Sequence, residues 1–505
     1  MNPFKKKLDD FFEISKRGSS FKIETFAGIA TFLAMAYILT VNPVMMQGFG
    51  ALGFDRTAAL IIATAFGAIV GTLLLAVLAK VPFAQAPGMG LNAMIGGLMI
   101  AAAFGTGTAF TYQNLMAIVF LSGLIFLLVS FVPVGKNAET GEYITAREKI
   151  FDGIPPAIRS AIPVGIGLFI AFIGLQNAKV IIGDPAGTLV KLVSFNSWSN
   201  PEALALAANA VVCLFGLIVI AVLSRYKVKG AIIIGVLAAT VLAMPLGVVD
   251  FDVIAGSGGV SWKFWENFGK FFSFSDTEGA FGMLFKGGFD FPANSLFTVI
   301  VLIITFSMID MFDTIGTVVG CASNAGLIDK TGKPLNYSKI MYSDSIATVT
   351  GAVFGTSTVT TFVESGAGVA VGGKTGFTAL VVAGLFLLSI FVLPVFAFIP
   401  SAAAASALVY VGVLMIGRVK DIDFHDVRVA VPAFIIIIGM PLTYSITNGI
   451  GLGIISYVLI SLVCYVVDIV KFKKSAGEKP KWPISLVTGI IVVLFLLYFL
   501  LPQSI

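Results

Sequence analysis

Apolar stretches close to the length of a membrane-spanning helix recur from Glu24 almost to the end of the chain. A helix needs about 20 mainly apolar residues to cross the hydrocarbon core of a bilayer. Seven stretches lie in the first half, at 24–45, 57–79, 82–101, 113–133, 156–175, 203–222 and 230–247. Seven more lie in the second half, at 296–320, 338–354, 356–373, 376–394, 399–418, 428–446 and 448–470. The pattern predicts an all-α polytopic membrane protein.

Three further parts of the chain flank or separate the two halves, 24–247 and 296–470. Residues 1–23 are charged and amphipathic and have no cleavable apolar core, so we expect them at the cytoplasmic membrane surface. Residues 248–295 form a long polar loop with many aromatic side chains, which we expect outside the cell. Residues 471–505 contain a lysine-rich hinge and an apolar stretch at 484–501, a fifteenth by this count.

The third stretch of each half differs from the others. VPFAQAPGMGLNAMIGG (81–97) and GTSTVTTFVESGAGVAVGG (355–373) both begin with a polar or proline-containing piece and continue into small residues. The Ser/Thr run between Thr356 and Thr361 favours extended structure. We therefore predict a short strand there that crosses a matching strand near Pro82–Ala86, with a broken helix after each strand.

The two halves resemble each other, and each holds seven stretches. An odd number of spans in a repeat means that the second copy enters the membrane upside down. Inverted repeats with paired broken helices place a binding site at the repeat interface. Aligning Asn92 with Glu364 gives an offset of 364 − 92 = 272 residues, which also places Ile38 beside Asp310.

Lysine and arginine residues in the loops predict the orientation of the chain. If the N-terminus is cytoplasmic, the basic loops also fall inside, at 135–159, 224–230, 321–339, 418–428 and 471–482. The loops predicted outside carry few basic residues. We therefore expect a multi-pass protein of the plasma membrane with a cytoplasmic N-terminus.

Composition supports a membrane protein and excludes several other classes. The 505 residues are 58% hydrophobic and only 12% charged, whereas soluble domains carry about 25% charged residues. The formal net charge of +5 forms no extended basic stripe, so nucleic-acid binding is not expected. Cys213, Cys321 and Cys464 share no metal-ligand spacing, so we expect packing roles for them, with no metal site and no cofactor.

Four polar residues stand out at membrane depth. Asp310 and Asp313 lie three apart in TFSMIDMFDTIGTVVG and therefore share a helical face. Glu364 opens the second broken helix, and Asn92 lies in the first. A carboxylate at the centre of a bilayer costs roughly 2.5–3.5 kcal/mol, so such groups face a partner, a cavity or a path. We also expect free N–H groups of the helix after Ser365 to point towards the Glu364 carboxylate.

Each of these residues also has a structural interpretation. Glu364 would close a helix N-terminus or pair with Lys374, and the aspartates would form hydrogen bonds between helices. Asn92 would bridge backbone groups, and the Ser/Thr hydroxyls would satisfy exposed backbone.

The chemistry of these residues narrows the ligand. Three acids without an arginine at depth argue against an anion and suit either a cation or a neutral, flat ligand with N–H donors. The only histidine, His425, lies in a charged loop and is expected at the surface. Any proton coupling would therefore use Asp or Glu side chains, whose protonation burial favours.

Several segments resemble one family of transporters over nearly the whole membrane region. They are ETFAGIATFLAMAYILTVNP, APGMGLNAM, MIDMFDTIGTVVG and TTFVESGAGVAVGGKTG. They resemble the AzgA-like branch of the nucleobase–cation symporter-2 superfamily, the adenine, guanine and hypoxanthine permeases. The resemblance implies fourteen segments in two inverted sevens, divided into a core and a gate domain. It also implies a substrate site between short antiparallel strands in the third and tenth segments.

The resemblance implies roles for individual residues. An acidic residue followed by x-I-G marks the eighth segment of the family, and the run from Asp313 to Gly316 matches it. Glu364 falls on the substrate-binding acid of the tenth segment, while Asn92 and Asp310 match further positions of this branch. The implied activity is proton-coupled uptake of a purine.

In that activity, Glu364 and Asp313 would accept hydrogen bonds from the base. Backbone groups near Gly90 and Ser365 would meet its opposite edge, and Asn92 would orient it. Thr361 is a further expected binding residue, and Asp310 and Asp313 are the candidates for proton coupling.

Other functions remain open at this stage. The same fold would carry another nucleobase, such as xanthine or uracil, or an anion, and a passive channel is a further alternative. An intramembrane aspartyl protease needs aspartates on facing helices, typically with a GxGD motif, which this sequence lacks. The preferred purine, the choice between H⁺ and Na⁺, and association into a homodimer also remain open.

Overall fold

A computed structural model describes residues 3–48, 56–105, 107–136, 143–184, 190–196, 200–228, 230–249, 251, 260–328, 334–474 and 482–500. The helices of the first half are α1 Pro3–Phe12, α2 Phe21–Met35, α3 Ile38–Met46, α4 Thr57–Leu74, α5 Met89–Ala103, α6 Tyr112–Phe131, α7 Ala146–Gly153, α8 Pro156–Asn177, α9 Pro201–Arg225 and α10 Ala231–Ala243. The connecting loop adds α11 Phe264–Phe271.

The second half repeats this helical pattern. Its helices are α12 Leu296–Ala325, α13 Tyr337–Phe354, α14 Ser365–Val371, α15 Gly376–Ser389, α16 Leu393–Ala397, α17 Ser401–Ile416, α18 Val427–Leu442, α19 Ile446–Lys474 and α20 Leu486–Leu500. The strands of the whole chain are β1 Gln85–Pro87, β2 Pro133–Lys136, β3 Tyr143–Thr145, β4 Ile181–Gly183, β5 Val190–Leu192 and β6 Val359–Thr361.

Membrane-spanning length is common among these helices. In the described ranges, nine helical stretches are long and apolar enough to cross a bilayer. Four shorter apolar helices accompany them, namely Met89–Ala103, Ala231–Ala243, Val427–Leu442 and Leu486–Leu500. The first predicted stretch, 24–45, is divided into α2 and α3 at Ala36 and Tyr37.

The helices pack in two groups. One contains α2–α6 and α12–α15, and the other contains α8–α10 and α17–α20. Each group takes helices from both halves of the chain, which is how interlocked repeats build two bodies. The two groups correspond to the expected core and gate domains, and we use those names for them below.

The two broken segments meet through their strands. β1 and β6 pair antiparallel, with Gln85 opposite Thr361 and Pro87 opposite Val359. The ladder is extended by Gly88 N–H donating to the Thr358 carbonyl at 2.9 Å. This confirms the predicted short antiparallel strands in segments 3 and 10.

The helices that follow the strands correct the alignment of the repeats. α5 begins at Met89 and α14 at Ser365, an offset of 365 − 89 = 276 residues. The strand starts give 359 − 85 = 274, so the predicted offset of 272 is wrong by two residues at the strands and by four at the helix starts. Gly88, and not Asn92, occupies the position before the helix that Glu364 occupies in the second half.

The loop between the halves is folded back onto the core. The ring of Phe66 in α4 stacks on Phe271 at 5.6 Å and meets Phe268 edge-on at 6.1 Å, both in α11. Asn267 holds the start of this segment, because its side chain donates to the Ser261 carbonyl and accepts from the Ser261 N–H. The described part of the 248–295 loop is thus packed structure.

The predicted fifteenth stretch forms helix α20. Its Phe495 and Phe499 pack against Gly451 of α19, where an added Cβ would lie 2.6 Å from the Phe495 ring. At its start, Ser485 and Thr488 both donate hydrogen bonds to the Gly153 carbonyl at the end of α7. The helix is therefore fixed to the gate and to α7.

The close packing of α14 on α2 can be tested by substitution of a glycine at the contact. A Cβ at Gly368 would lie 2.2 Å from Thr31 Oγ1 and 2.7 Å from the Ala27 carbonyl oxygen. A backbone oxygen cannot rotate away, so we expect Gly368→Ala to destabilise the protein by roughly 1–3 kcal/mol. Gly366→Ala in the same helix is the control, because no atom of the described residues lies within 4 Å of its added Cβ. Thermal denaturation of the purified variants should separate the two, and equal midpoints would contradict this packing.

Candidate functional site

A cavity of about 110 Å³ lies where the two strands pair. Its core wall comes from the junctions after β1 and β6 and from α12, and its gate wall comes from α8, α17 and the turn after α17. The lining residues are Gly88, Met89, Gly90, Thr360, Thr361, Phe362, Val363, Glu364, Asp313 and Thr317 on the core side, and Pro163, Val411, Leu414, Met415 and Arg418 on the gate side. A cavity at this place touches both bodies.

Glu364 is held in position by the break in the first span. It is 8% exposed, and the Tyr37 hydroxyl donates to its Oε1 at 2.7 Å. Tyr37 is fully buried between α2 and α3, so the interruption of the helix places the phenol against the carboxylate. A carboxylate accepts about four hydrogen bonds, so this one contact leaves capacity for a ligand.

The structure brings together four of the residues that the sequence singled out. Asp313, Glu364, Gly90 and Thr361 all line the cavity. Gly90 lies in the first turn of α5, where an added Cβ would approach Ile166 of the gate to 2.8 Å. A side chain larger than glycine at this position would crowd the contact between the two bodies.

Asn92 and Ser365 are close to the strands but do not line the cavity. Both are fully buried. Asn92 accepts a hydrogen bond from the Ser357 hydroxyl and donates to the Pro87 carbonyl at 3.4 Å. The Ser365 hydroxyl accepts from the Ala84 N–H at 3.0 Å. Their side chains therefore hold the two broken segments against each other.

The first N–H groups of α14 are not directed at a ligand. Ser365 N–H donates to the Phe362 carbonyl at 3.1 Å, and Gly366 N–H donates to the Val363 carbonyl at 2.9 Å. The expectation that free N–H groups face the Glu364 carboxylate is wrong, because the chain enters the helix through a tight turn that uses them.

Asp310 lies in different surroundings from Asp313. It is 1% exposed, and Thr348 of α13 donates to its Oδ2 at 3.3 Å. Its Oδ1 has no hydrogen-bond partner among the described residues. Although the two aspartates are only three residues apart in α12, Asp313 lines the cavity and Asp310 lies against α13.

A buried ion pair beside these aspartates was not expected from the sequence. Arg147 and Asp344 are 1% and 0% exposed, and Arg147 Nη2 lies 2.8 Å from Asp344 Oδ2. Thr314 Oγ1 donates to the other oxygen of Asp344 at 2.5 Å, and the Arg147 guanidinium lies 3.5 Å from the Phe126 ring centroid. Asp344 is a carboxylate inside the predicted span 338–354, which was a signal for it, whereas Arg147 lies in the predicted loop 135–159.

The ion pair is connected to the strands. Gln85 Nε2 lies 3.3 Å from both Asp344 Oδ1 and Thr361 Oγ1, and Thr361 is its partner across the strand pair. Thr314 adjoins Asp313 in α12. The Arg147–Asp344 pair therefore supports Thr361 through Gln85, and it supports Asp313 through the neighbouring Thr314.

These positions correct the argument that no arginine lies near the acids. Arg147 is buried in an ion pair with Asp344, and Arg418 lines the same cavity as Asp313 and Glu364. Arg147 belongs to the predicted loop 135–159, and Arg418 stands where the predicted stretch 399–418 meets the loop 418–428.

Comparison with known proteins identifies relatives along most of the chain. A putative permease of Methanocaldococcus jannaschii is 37% identical over 457 residues, which are 90% of this chain and 92% of the relative. The guanine/hypoxanthine permease PbuO of Bacillus subtilis is 37% identical over 89% of this chain and 93% of its own length. The adenine permease AdeP of Escherichia coli is 34% identical over 90% of each chain.

Solved structures show the same fold at low sequence identity. The transmembrane domain of the cyanobacterial bicarbonate transporter BicA aligns with a TM-score of 0.56 at 16% identity, covering 84% of this chain and 96% of that one. Murine Slc26a9, an anion transporter in an inward-facing state, aligns with a TM-score of 0.55 at 12% identity, covering 93% and 73%. These proteins have the fold of two inverted sevens, which confirms the predicted fold class.

The match to a family model settles the assignment. The model described as the permease family matches residues 22–452, which is most of the chain. The family and the names of the relatives indicate a permease and not an enzyme. The chain belongs to this permease family, the nucleobase–cation symporter-2 family.

Proposed function

We propose that this protein carries purine nucleobases into the cell across the plasma membrane, coupled to the entry of protons. The relatives named above include permeases for guanine and hypoxanthine and for adenine. The proposal places the N-terminus in the cytoplasm, as the basic loops predict.

The observation that carries the proposal is the position of Glu364 and Asp313 in one cavity between the core and the gate. Purines present ring N–H and, in some cases, amino groups, and carboxylates are strong acceptors for these donors. Phe362, Met89 and Val411 supply the apolar surface that a flat ring needs. Two acids against one arginine also make the site less suited to an anion.

The location of the cavity supports alternating access. Its walls belong to both bodies, so a movement of the core against the gate opens it towards one side and closes it towards the other. A bound purine contacts both walls and is released when they separate.

Asp310 is the proposed proton carrier, with Asp313 as the group that exchanges with substrate. An ionised carboxylate in a buried site is costly unless its oxygens are satisfied. Only Thr348 satisfies Asp310 among the described residues, and Oδ1 has no partner. A proton on this group removes that cost, and Asp313 lies one turn away on the same helix.

The test is uptake of labelled hypoxanthine, guanine, adenine, xanthine and uracil into cells that lack their own nucleobase permeases. We expect saturable uptake of a purine that falls to background with a protonophore. Uptake that needs sodium and survives the protonophore would contradict proton coupling. No uptake of any base by protein that has reached the membrane would contradict the function.

A further inference from the structure

Arg418 is the basic residue in the lining of the cavity. It lies in the turn Gly417–Asp421, directly after α17, whose Leu414 and Met415 also line the cavity. Among the described residues, none accepts a hydrogen bond from its guanidinium, whose positive charge acts on the Asp313 carboxylate in the same cavity. A guanidinium presents five N–H donors and no acceptor. The gate wall therefore offers unused donors to the cavity.

The core wall offers the opposite chemistry. Glu364 and Asp313 are acceptors, and they line the cavity from the side of β6 and α12. The cavity thus has acceptors on one wall and donors on the other. A ligand that fits both walls must be a donor on one edge and an acceptor on another.

Only some purines match this arrangement. Hypoxanthine and guanine carry two acceptors, O6 and N7, on one edge, and they carry the N1–H donor beside it. Arginine contacts O6 and N7 of guanine with both arms of its fork, which is the commonest specific contact to that base. Adenine has an amino group in place of O6, so two donors would face each other there.

We propose that Arg418 binds the O6/N7 edge of the base and makes the site selective for 6-oxopurines over adenine. The inference rests on the proposed function and assigns the substrate class of the same site. Arg418 is a specificity residue, because it contacts the edge that differs between the bases, while the two carboxylates hold donors on the remaining part of the ring.

The placement of Arg418 also gives the bound base a second role. Its donors belong to the gate, and the carboxylates belong to the core. A 6-oxopurine therefore joins the two bodies with hydrogen bonds on both sides, whereas adenine offers the gate only its N7 acceptor and leaves one arm of the guanidinium against an amino donor. Unpaired polar groups in a closed site are a strong source of discrimination.

The test compares the wild type with Arg418→Gln and Arg418→Lys in the uptake assay. The readout is the ratio of inhibition constants for adenine and hypoxanthine against one labelled substrate. We expect Arg418→Gln to lower the preference for hypoxanthine by roughly 10- to 100-fold, as expected for the loss of a two-armed contact. Arg418→Lys keeps the charge but has no planar fork, so its ratio should lie between the ratios of the wild type and Arg418→Gln. A residue with only a structural role would change both constants together.

A ligand change tests the same contact without any variant. In 7-deazahypoxanthine, carbon replaces N7, so one of the two acceptors is lost. The wild type should bind it roughly 10-fold less tightly than hypoxanthine, and Arg418→Gln should bind both about equally.

Three results would overturn the inference: a wild type that prefers adenine, equal wild-type binding of hypoxanthine and its 7-deaza analogue, or an unchanged ratio in Arg418→Gln. If Arg418→Gln does not reach the membrane, the wild-type comparison decides. A wild type that transports no purine would instead refute the proposed function.

Discussion

Glu364→Gln is expected to lower the kcat/KM of purine uptake by about 100-fold or more while the protein still reaches the membrane. Glutamine has the same shape as glutamate and can still accept the Tyr37 hydroxyl at the Oε1 position. The substitution therefore leaves the fold and removes the charge. Its amide donors would then face the N–H donors of the base, so the site would lose its strongest acceptor and gain a mismatch.

Glu202→Gln is the matched control for this prediction. Glu202 is exposed at the start of α9 and does not line the cavity, so the same chemical change there should leave uptake unchanged. The measurement is initial uptake rate over a range of purine concentrations, normalised to protein at the cell surface. Normal uptake by Glu364→Gln would refute the assignment of this residue.

Arg147→Met should destabilise the folded protein by roughly 3–5 kcal/mol, because it leaves Asp344 as an uncompensated buried charge. Asp344 is 0% exposed, and its remaining partners, Thr314 and Gln85, are neutral. The loss should also loosen the strand pair, since Gln85 connects Asp344 to Thr361. Thermal unfolding of the purified protein in detergent measures the effect.

The double variant Arg147→Met, Asp344→Asn separates a lost charge pair from lost packing. Removing both charges should recover part of the stability lost in Arg147→Met, because no buried carboxylate is then left unpaired. Lys149→Met is the control on the same short helix, where the lysine is exposed. An additive double variant, or equal loss in Lys149→Met, would mean that the ion pair does not carry the stability.

Apolar length and the interrupted third stretches were enough to predict the architecture. A helix that crosses the bilayer needs about 20 apolar residues, so the hydrophobic runs predicted the spans. The Ser/Thr run beside small residues indicated where a helix is interrupted. The strands formed at Gln85–Pro87 and Val359–Thr361, close to the predicted positions. The register of the repeats was missed by two residues at the strands and four at the helix starts, because Asn92 and Glu364 are both polar but differ in their place relative to the helix start.

The site was predictable in part. Glu364 and Asp313 stood out because acids in apolar runs are costly and therefore placed for a reason. They converge because α12 and the junction after β6 line one cavity, as the resemblance to the family implied. Asn92 and Ser365 satisfied the same sequence criteria, but the structure uses their polar atoms to join backbone segments.

The arginines were not predictable because charge in a loop says nothing about where the loop folds. Arg147 follows the β2–β3 hairpin, and its guanidinium lies over the Phe126 ring of α6 and pairs with Asp344. Arg418 follows the last turn of α17, and the turn Gly417–Asp421 brings it to the cavity. Hydrophobic periodicity along one segment does not encode such contacts between segments.

The strand pair has a consequence for the synthesis of the protein. β1 leaves the ribosome 359 − 85 = 274 residues before β6, the strand that pairs with it. At 5–20 residues per second, the first broken segment would wait roughly 15–55 seconds for that partner. Backbone groups without partners are not tolerated in lipid, so during this interval the segment must be shielded by neighbouring helices, water or the insertion machinery. The first half of the chain therefore enters the membrane before its binding site exists, and the site is completed only when the second half has followed as far as Arg418.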